Sequence, residues 1–219
     1  MPADSTPTFL EECYNDYLVD QDSAAFIHKV AGRYTVGTLS RLVQSSQRAR
    51  RRAAVLGLGF LGGYEANDVL GRALRDDDRL TRTLAENAIR SIWLRAGNDA
   101  ERQELAAIVR LNSMQQYKEA LRRSTELIQE APDLAEGWNQ RAIAYYCLGR
   151  YTESIQDCRQ ALELNAYHFG AAGGMGQCYV QLDDLYAALE CFRRALRLNP
   201  NLEGVRASVA YLERSLKSK

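Results

Sequence analysis

From about residue 100 to the C-terminus, apolar side chains recur at helical spacing in paired segments, with a break inside each pair. Trp138, Ala142 and Tyr145 line one predicted helix; Tyr151, Ile155, Cys158 and Ala161 line the next. Between them stands Gly149, where a residue free to take positive φ ends the first helix. Sliding residues 135–168 onto 169–202 superposes Tyr145/Tyr179, Leu148/Leu182, Ala161/Ala195, Leu162/Leu196, Leu164/Leu198 and Asn165/Asn199, all at an offset of 34. Pro132 and Pro200 are separated by twice that offset, 68 residues. A stripe of this kind cannot be buried by one helix alone, so the pairs are expected to stack. The small side chains of Ala142, Ser154 and Ala161 are expected to let paired helices approach closely. Residues 203–217 read as a closing helix, with Val205, Val209, Leu212 and Leu216 inward and Glu203, Arg206, Glu213 and Arg214 outward.

A looser period of 31 runs through the first half. Arg51, Ala54, Gly57, Leu58 and Leu61 align with Arg82, Ala85, Ala88, Ile89 and Ile92. Val69, Leu70, Ala73 and Leu74 supply a shorter helix between them, echoed by Leu39, Leu42 and Val43. Ser23, Phe26, Ile27 and Val30 form a fainter copy, and the residues ahead of them read as a short acidic segment. Gly62, Gly63 and Gly97 mark helix ends. The helix near 100–112 satisfies both registers and no linker separates the halves. One continuous α-solenoid is therefore expected, with a division of register at 1–100 and 101–219.

Composition supports an all-α fold: no proline occurs from Thr8 to Ala131, and helix formers fill the chain. Lys plus Arg equals Asp plus Glu at 28 each, so net charge steers the protein toward neither nucleic acid nor an anionic membrane. That neutrality hides one asymmetry. Residues 1–33 hold six acids and two bases, whereas 34–62 hold five arginines and no acid. No apolar run approaches the ~20 residues that span a bilayer, and the N-terminus lacks a secretory pattern. The five cysteines (Cys13, Cys147, Cys158, Cys178, Cys191) are never spaced Cys-x-x-Cys. Buried free thiols in a cytoplasmic protein are the expectation.

The unit containing Trp138, Ala142, Tyr145, Gly149, Tyr151, Ala161 and Leu164 resembles the tetratricopeptide repeat. The next unit keeps Gly176, Tyr179, Leu185, Ala188, Phe192, Ala195 and Pro200, with Ala172 in place of the first aromatic. Ile108, Leu111, Tyr117, Ala120, Leu127 and Pro132 trace a weaker copy, with Gln115 where glycine is usual. The resemblance implies three units (101–134, 135–168, 169–202) and a capping helix. The first half resembles HEAT repeats, particularly the short type of phycobilin-lyase-like proteins. In that family an Asp six residues before the Arg ties adjacent repeats together. Asp76 and Arg82 fit that spacing, whereas Ser45 stands where Arg51 would need its acid.

Little in the chain suggests catalysis. His28 and His168 fall in different halves and read as structural or surface residues. No HExxH, GxSxG, P-loop or Cys/His metal spacing occurs, so neither an enzyme nor a cofactor is implied. Asp76, Asp77 and Asp78 precede a helix and read as caps rather than a cation site. Arg48, Arg50, Arg51 and Arg52 are the best nucleic-acid candidates, Arg48, Arg50 and Arg52 being those outside the repeat framework. Zero net charge and the lack of flanking aromatics weigh against that use. Tetratricopeptide solenoids recognise partners on the first helix of each pair. Register then assigns Leu105, Val109, Asn139, Ile143, Tyr146, Gly170, Gly173, Gln177, Gln181 and Tyr211 to the concave groove. Gly170 and Gly173 either relieve helix crowding or leave room for a ligand's backbone. Chaperone-binding members of the family hold a C-terminal carboxylate with Lys and Arg at set groove places, some of which are Leu105, Gly173 and Gly174 here. The expected function is a scaffold or adaptor that binds an unidentified protein or peptide. The alternatives are a nucleic-acid-associated protein and a structural homo-oligomer subunit.

Overall fold

A computed structural model describes residues 7–217, which contain thirteen α-helices and no strand. The chain divides into two compact units, Met1–Ile92 and Trp93–Lys219.

The N-terminal unit holds α1 (Phe9–Asp20), α2 (Ser23–Ala31), α3 (Val36–Leu42), α4 (Arg48–Leu61), a 3-10 turn (Tyr64–Ala66), α5 (Asn67–Ala73) and most of α6 (Arg79–Leu94). The period of 31 is real in the backbone. It is the interval from the start of α3 to that of α5 (36 to 67) and from α4 to α6 (48 to 79). Arg51 shows what joins the copies. Its guanidinium chelates Asp76 of the next copy through Nε at 2.8 Å and Nη2 at 2.9 Å. Its Nη1 donates to the Ser45 carbonyl at 3.0 Å, and Arg82 Nη1 donates to the Asp76 carbonyl at 2.8 Å. Each arginine thus uses a backbone oxygen six residues back, so Ser45 serves where an acid was expected.

One element differs from the sequence reading. The acidic segment ahead of residue 22 contains a full helix, α1, started by a Thr8/Glu11 capping box. Leu10, Cys13 and Tyr14 on it are at most 3% exposed. Their i, i+3, i+4 spacing was the available signal; the acids lie mostly on its outer face.

The C-terminal unit stacks α7 (Asp99–Ser113), α8 (Tyr117–Glu130), α9 (Ala135–Cys147), α10 (Tyr151–Leu164), α11 (Phe169–Gln181), α12 (Leu185–Leu198) and α13 (Glu203–Lys217). Second helices begin at 117, 151 and 185, and first helices at 135, 169 and 203, each step being 34. Only α7 departs, starting at 99 behind an Asn98/Glu101 capping box. The turns inside the pairs repeat at the same interval. Gln115, Gly149 and Asp183 all take positive φ, at 61°, 75° and 57°. In each turn the following amide reaches back five residues, Gln116 to Leu111, Arg150 to Tyr145 and Asp184 to Tyr179. This is the Schellman closure of a helix end.

Small residues bring the helices together. The Ser154 hydroxyl, fully buried, donates to the Ala142 carbonyl of the preceding helix at 2.8 Å. At Gly176 a Cβ would lie 2.5 Å from the Phe192 ring, so only glycine admits that ring against α11. Asn165 and Asn199, identical at the offset, each accept the amide two residues on, closing the turns between pairs.

The left-handed turns yield a prediction. Glycine takes positive φ without the steric penalty other residues meet. Gln115→Gly should therefore raise stability in denaturant unfolding by about 0.5–1 kcal/mol, and Gly149→Ala should lower it by about 1 kcal/mol.

Candidate functional site

The first helices of the C-terminal unit, α7, α9, α11 and α13, carry the face where partner recognition was expected. That face is divided. Its N-terminal half, around the start of α9 and α11, is a buried polar chain. Asn112 Nδ2 donates to the Gln140 side chain at 2.9 Å, Gln140 Nε2 donates to Glu136 Oε1 at 2.7 Å, and Asn139 Nδ2 reaches the same oxygen at 2.9 Å. Glu136 Oε2 lies 3.0 Å from His168 Nε2. His168 is the N-cap of α11, and its Nδ1 accepts the Ala171 amide at 3.1 Å. An accepting Nδ1 is unprotonated, so Nε2 carries the ring proton and donates it to Glu136. Trp93 closes the cluster by stacking on His168, with ring centroids 4.4 Å apart and planes 15° apart, and by packing on Phe169 at 5.1 Å. Burial pushes the Glu136 carboxyl pKa up, but the His168, Gln140 and Asn139 donors outweigh that and hold it below the ordinary value.

Two expected groove residues are corrected by this arrangement. Asn139 is buried and committed to Glu136. Leu105 is fully buried in a core with Ile108, Ala120 and Leu127, because its apolar side chain is drawn inward at the place assigned to the groove. His168 was read as structural or surface, and is structural. The sequence reading missed Trp93 and Glu136, whose partners lie 75 and 32 residues away, beyond any local pattern.

The C-terminal half of the face is open. Ile143, Gln177, Gln181 and Tyr211 are exposed; Val109, Tyr146, Gly170 and Gly173 are half-buried. Tyr146 packs on the Tyr151 ring at 5.6 Å, and the Tyr151 hydroxyl is 3.4 Å from Gln181 Oε1. The two readings of Gly173 separate here. A Cβ on it would meet only Val205, at 3.9 Å, so helix packing does not require glycine. Gly170 borders the His168 ring, with room for a Cβ at 3.5 Å.

The arginine cluster has its charge matched within the N-terminal unit. Arg52 binds Asp78 through Nε at 2.8 Å and Nη2 at 2.6 Å; Arg50 lies 3.5 Å from Glu11; Arg51 holds Asp76 and Asp77. Arg48 is exposed, 3.9 Å from Asp77. A phosphate at Arg50 or Arg52 would compete with the carboxylates already beside them, which weighs against the nucleic-acid reading. Asp78 also caps α6, accepting the Thr81 amide and hydroxyl at 2.8 Å. The Arg52 guanidinium holds its carboxyl well below the usual range. Burial raises Asp76, yet Arg51 and the Asp78 amide bring it below its ordinary value. Among the described residues no group of three or more His, Cys, Asp or Glu is placed to hold a metal, and no helix is long and apolar enough to cross a membrane.

The geometry is that of an all-helical repeat protein whose second unit stacks helix pairs at an interval of 34 residues. The tetratricopeptide repeat profile matches residues 135–168 and 171–202. A TPR repeat-containing protein of Rhizobium etli is 33% identical over 75 residues, 34% of this chain and 37% of that one. Hsp70-Hsp90 organizing protein 1 of Glycine max is 28% identical over 109 residues, 48% of this chain and 19% of that one. The SGT1 homolog of Bos taurus is 34% identical over 80 residues, 36% of this chain and 24% of that one. This chain therefore spans between about a fifth and two fifths of the length of these relatives. Among solved structures, the first TPR of Spaghetti (RPAP3) bound to the HSP90 peptide SRMEEVD superposes with a TM-score of 0.51 at 22% identity, over 53% of this chain and 93% of that one. The first TPR domain of human RPAP3 gives 0.51 at 23% identity, over 54% and 93%. At these identities the structures establish the shared fold.

Asp78 provides the prediction for this site. Its folded-state pKa is depressed, so its contribution is complete above about pH 4, the ordinary aspartate value, and is lost as pH falls further. Asp78→Ala removes a cap and an ion pair together and should lower stability at pH 7 by about 2 kcal/mol. As the pH falls below about 4 the difference from wild type should shrink. Arg48→Gln, at an exposed and distant pair, should change little. Urea unfolding at each pH checks both.

Proposed function

We propose that the chain is a non-enzymatic adaptor that holds an extended or helical protein segment against the open half of the α9–α11–α13 face. The observation that supports this most is the exposure of Ile143, Gln177, Gln181 and Tyr211 on three successive first helices of a tetratricopeptide array. Apolar and aromatic side chains interleaved with amides suit a segment that offers both side chains and backbone polar groups. We read the N-terminal pairs as HEAT-like, on the period of 31 and the Arg51–Asp76 tie. The Hsp90-type carboxylate clamp is not part of the proposal, since Leu105, Gly173 and Gly174 stand where its cations would be.

The open half is where binding should be sensitive. Tyr146→Ala and Tyr211→Ala should each weaken a captured partner by roughly 1–2 kcal/mol if they are central contacts. Gly173→Ala should leave binding nearly unchanged and stabilise α11 by about 0.5–1 kcal/mol. Gly173→Leu should fold and block binding sterically. Partners captured from a cell extract by the wild-type chain, compared quantitatively with each variant alongside thermal unfolding, provide the measurement. A Gly173→Leu protein that folds and retains every partner would place recognition elsewhere.

A further inference from the structure

Bounded by α11, the start of α12 and α13 is a cleft of about 770 Å³, within the roughly 300–1,000 Å³ typical of ligand clefts. Its floor is apolar. Phe192 and Leu212 are buried there, and Val180 and Leu185 are half-buried. Gly176 sets the depth, because the absence of a Cβ lets the Phe192 ring lie against α11.

The rim is one-sided in its chemistry. Asp183, Gln177, Ser208 and Tyr211 line it, with no Lys or Arg among the lining residues. Several other acids at turns are engaged: Asp76 and Asp78 bind arginines, and Asp184 caps α12 by accepting the Ala187 amide. Asp183 is exposed, and among the described residues no cation pairs with it. It also holds positive φ at a position where the preceding repeat has glycine. The Ser208 hydroxyl already donates to the Gly204 carbonyl at 3.1 Å, so it has only lone pairs left to offer. Tyr211 presents an aromatic ring that is 64% exposed. An unpaired carboxylate, an accepting hydroxyl and an open ring face all favour a cation that donates hydrogen bonds.

We propose that this cleft takes a basic–apolar protein segment. A large apolar side chain would sit over Phe192 and Leu212, and a neighbouring Lys or Arg would meet Asp183 and the Tyr211 ring. The inference rests on the adaptor reading and names its partner class. It predicts the opposite charge preference to an acidic C-terminal peptide such as SRMEEVD, which Asp183 repels and for which the cleft provides no cation.

The test probes the full chain with an array of random short peptides with amidated C-termini, together with free-acid SRMEEVD. Hits are then titrated by fluorescence anisotropy against wild type, Asp183→Asn and Gln177→Ala/Tyr146→Ala. Asparagine tolerates the left-handed backbone much as aspartate does, so Asp183→Asn isolates the charge; thermal unfolding verifies that each variant is folded. Hits should join a large apolar residue to Lys or Arg, weaken about fivefold on Asp183→Asn, and weaken with added salt in the wild type more than in the variant. SRMEEVD should bind no better than its scrambled control. Hits enriched in acids, or bound equally by wild type and Asp183→Asn, overturn the inference. If such hits are nevertheless lost in Gln177→Ala/Tyr146→Ala, the adaptor reading stands while this one falls. If no peptide binds at any protein concentration, both fall.

Discussion

The close approach of paired helices is the constraint on which the C-terminal unit depends. Each helix has one apolar stripe, and burying it requires a neighbour near enough for side chains to interdigitate. Ser154 against the Ala142 carbonyl and Phe192 against the bare Gly176 backbone are two close points of that approach. The left-handed turns at 115, 149 and 183 serve the same end, reversing the chain in so few residues that the second helix returns along the first. Once spacing and turn are fixed, repetition at 34 residues lines up the first helices on one face. The shared face of the first helices thus follows from core packing.

A buried polar chain then decides how much of that face is available. Asn112, Gln140, Glu136 and His168 link α7, α9 and α11 through side-chain hydrogen bonds under the Trp93 ring. Glu136 is a buried carboxylate with three side-chain donors, so removing any one of them leaves desolvated charge less well compensated. Such a network strongly favours one arrangement and commits Glu136, Asn139, Gln140 and His168 to one another. The open half lies toward the C-terminal ends of the same helices, where α13 and the α11–α12 turn bound the cleft.

This division explains what was legible in the sequence and what was not. Periodicity revealed the stacked helices, because the offsets of 31 and 34 are the intervals between helix starts in the structure. It also located the left-handed turn at Gly149, and the position of Asp76, Asp77 and Asp78 just ahead of a helix marked them as caps, a role Asp78 fills. Register arguments went wrong where a place in the repeat was equated with exposure. Leu105 and Asn139 occupy groove places yet are buried, one by its own apolarity and the other by a carboxylate three residues away on the same helix. The polar chain was invisible for a different reason: His168 meets Glu136 32 residues back and Trp93 75 residues back, and one sequence carries no trace of such pairings. Helix α1 was legible from Leu10, Cys13 and Tyr14, but its acidic outer face dominated the composition.

Electrostatics separates the two units more sharply than net charge suggests. In the N-terminal unit the arginines at 50, 51 and 52 each face a carboxylate, and two of these pairs are two-point chelates whose carboxylates lie 9–11% exposed. Pairs held this way join one helix copy to the next and have little capacity left for an external phosphate. The rim of the α11–α13 cleft shows the opposite condition, an exposed Asp183 with which no cation among the described residues pairs, above an apolar floor. A charge satisfied internally contributes to the fold, whereas one left to solvent beside apolar surface is free to contribute to selection of a partner. The formal neutrality of the chain, 28 charges against 28, thus includes an N-terminal basic cluster matched by carboxylates and an exposed aspartate, Asp183, at the rim of the C-terminal cleft.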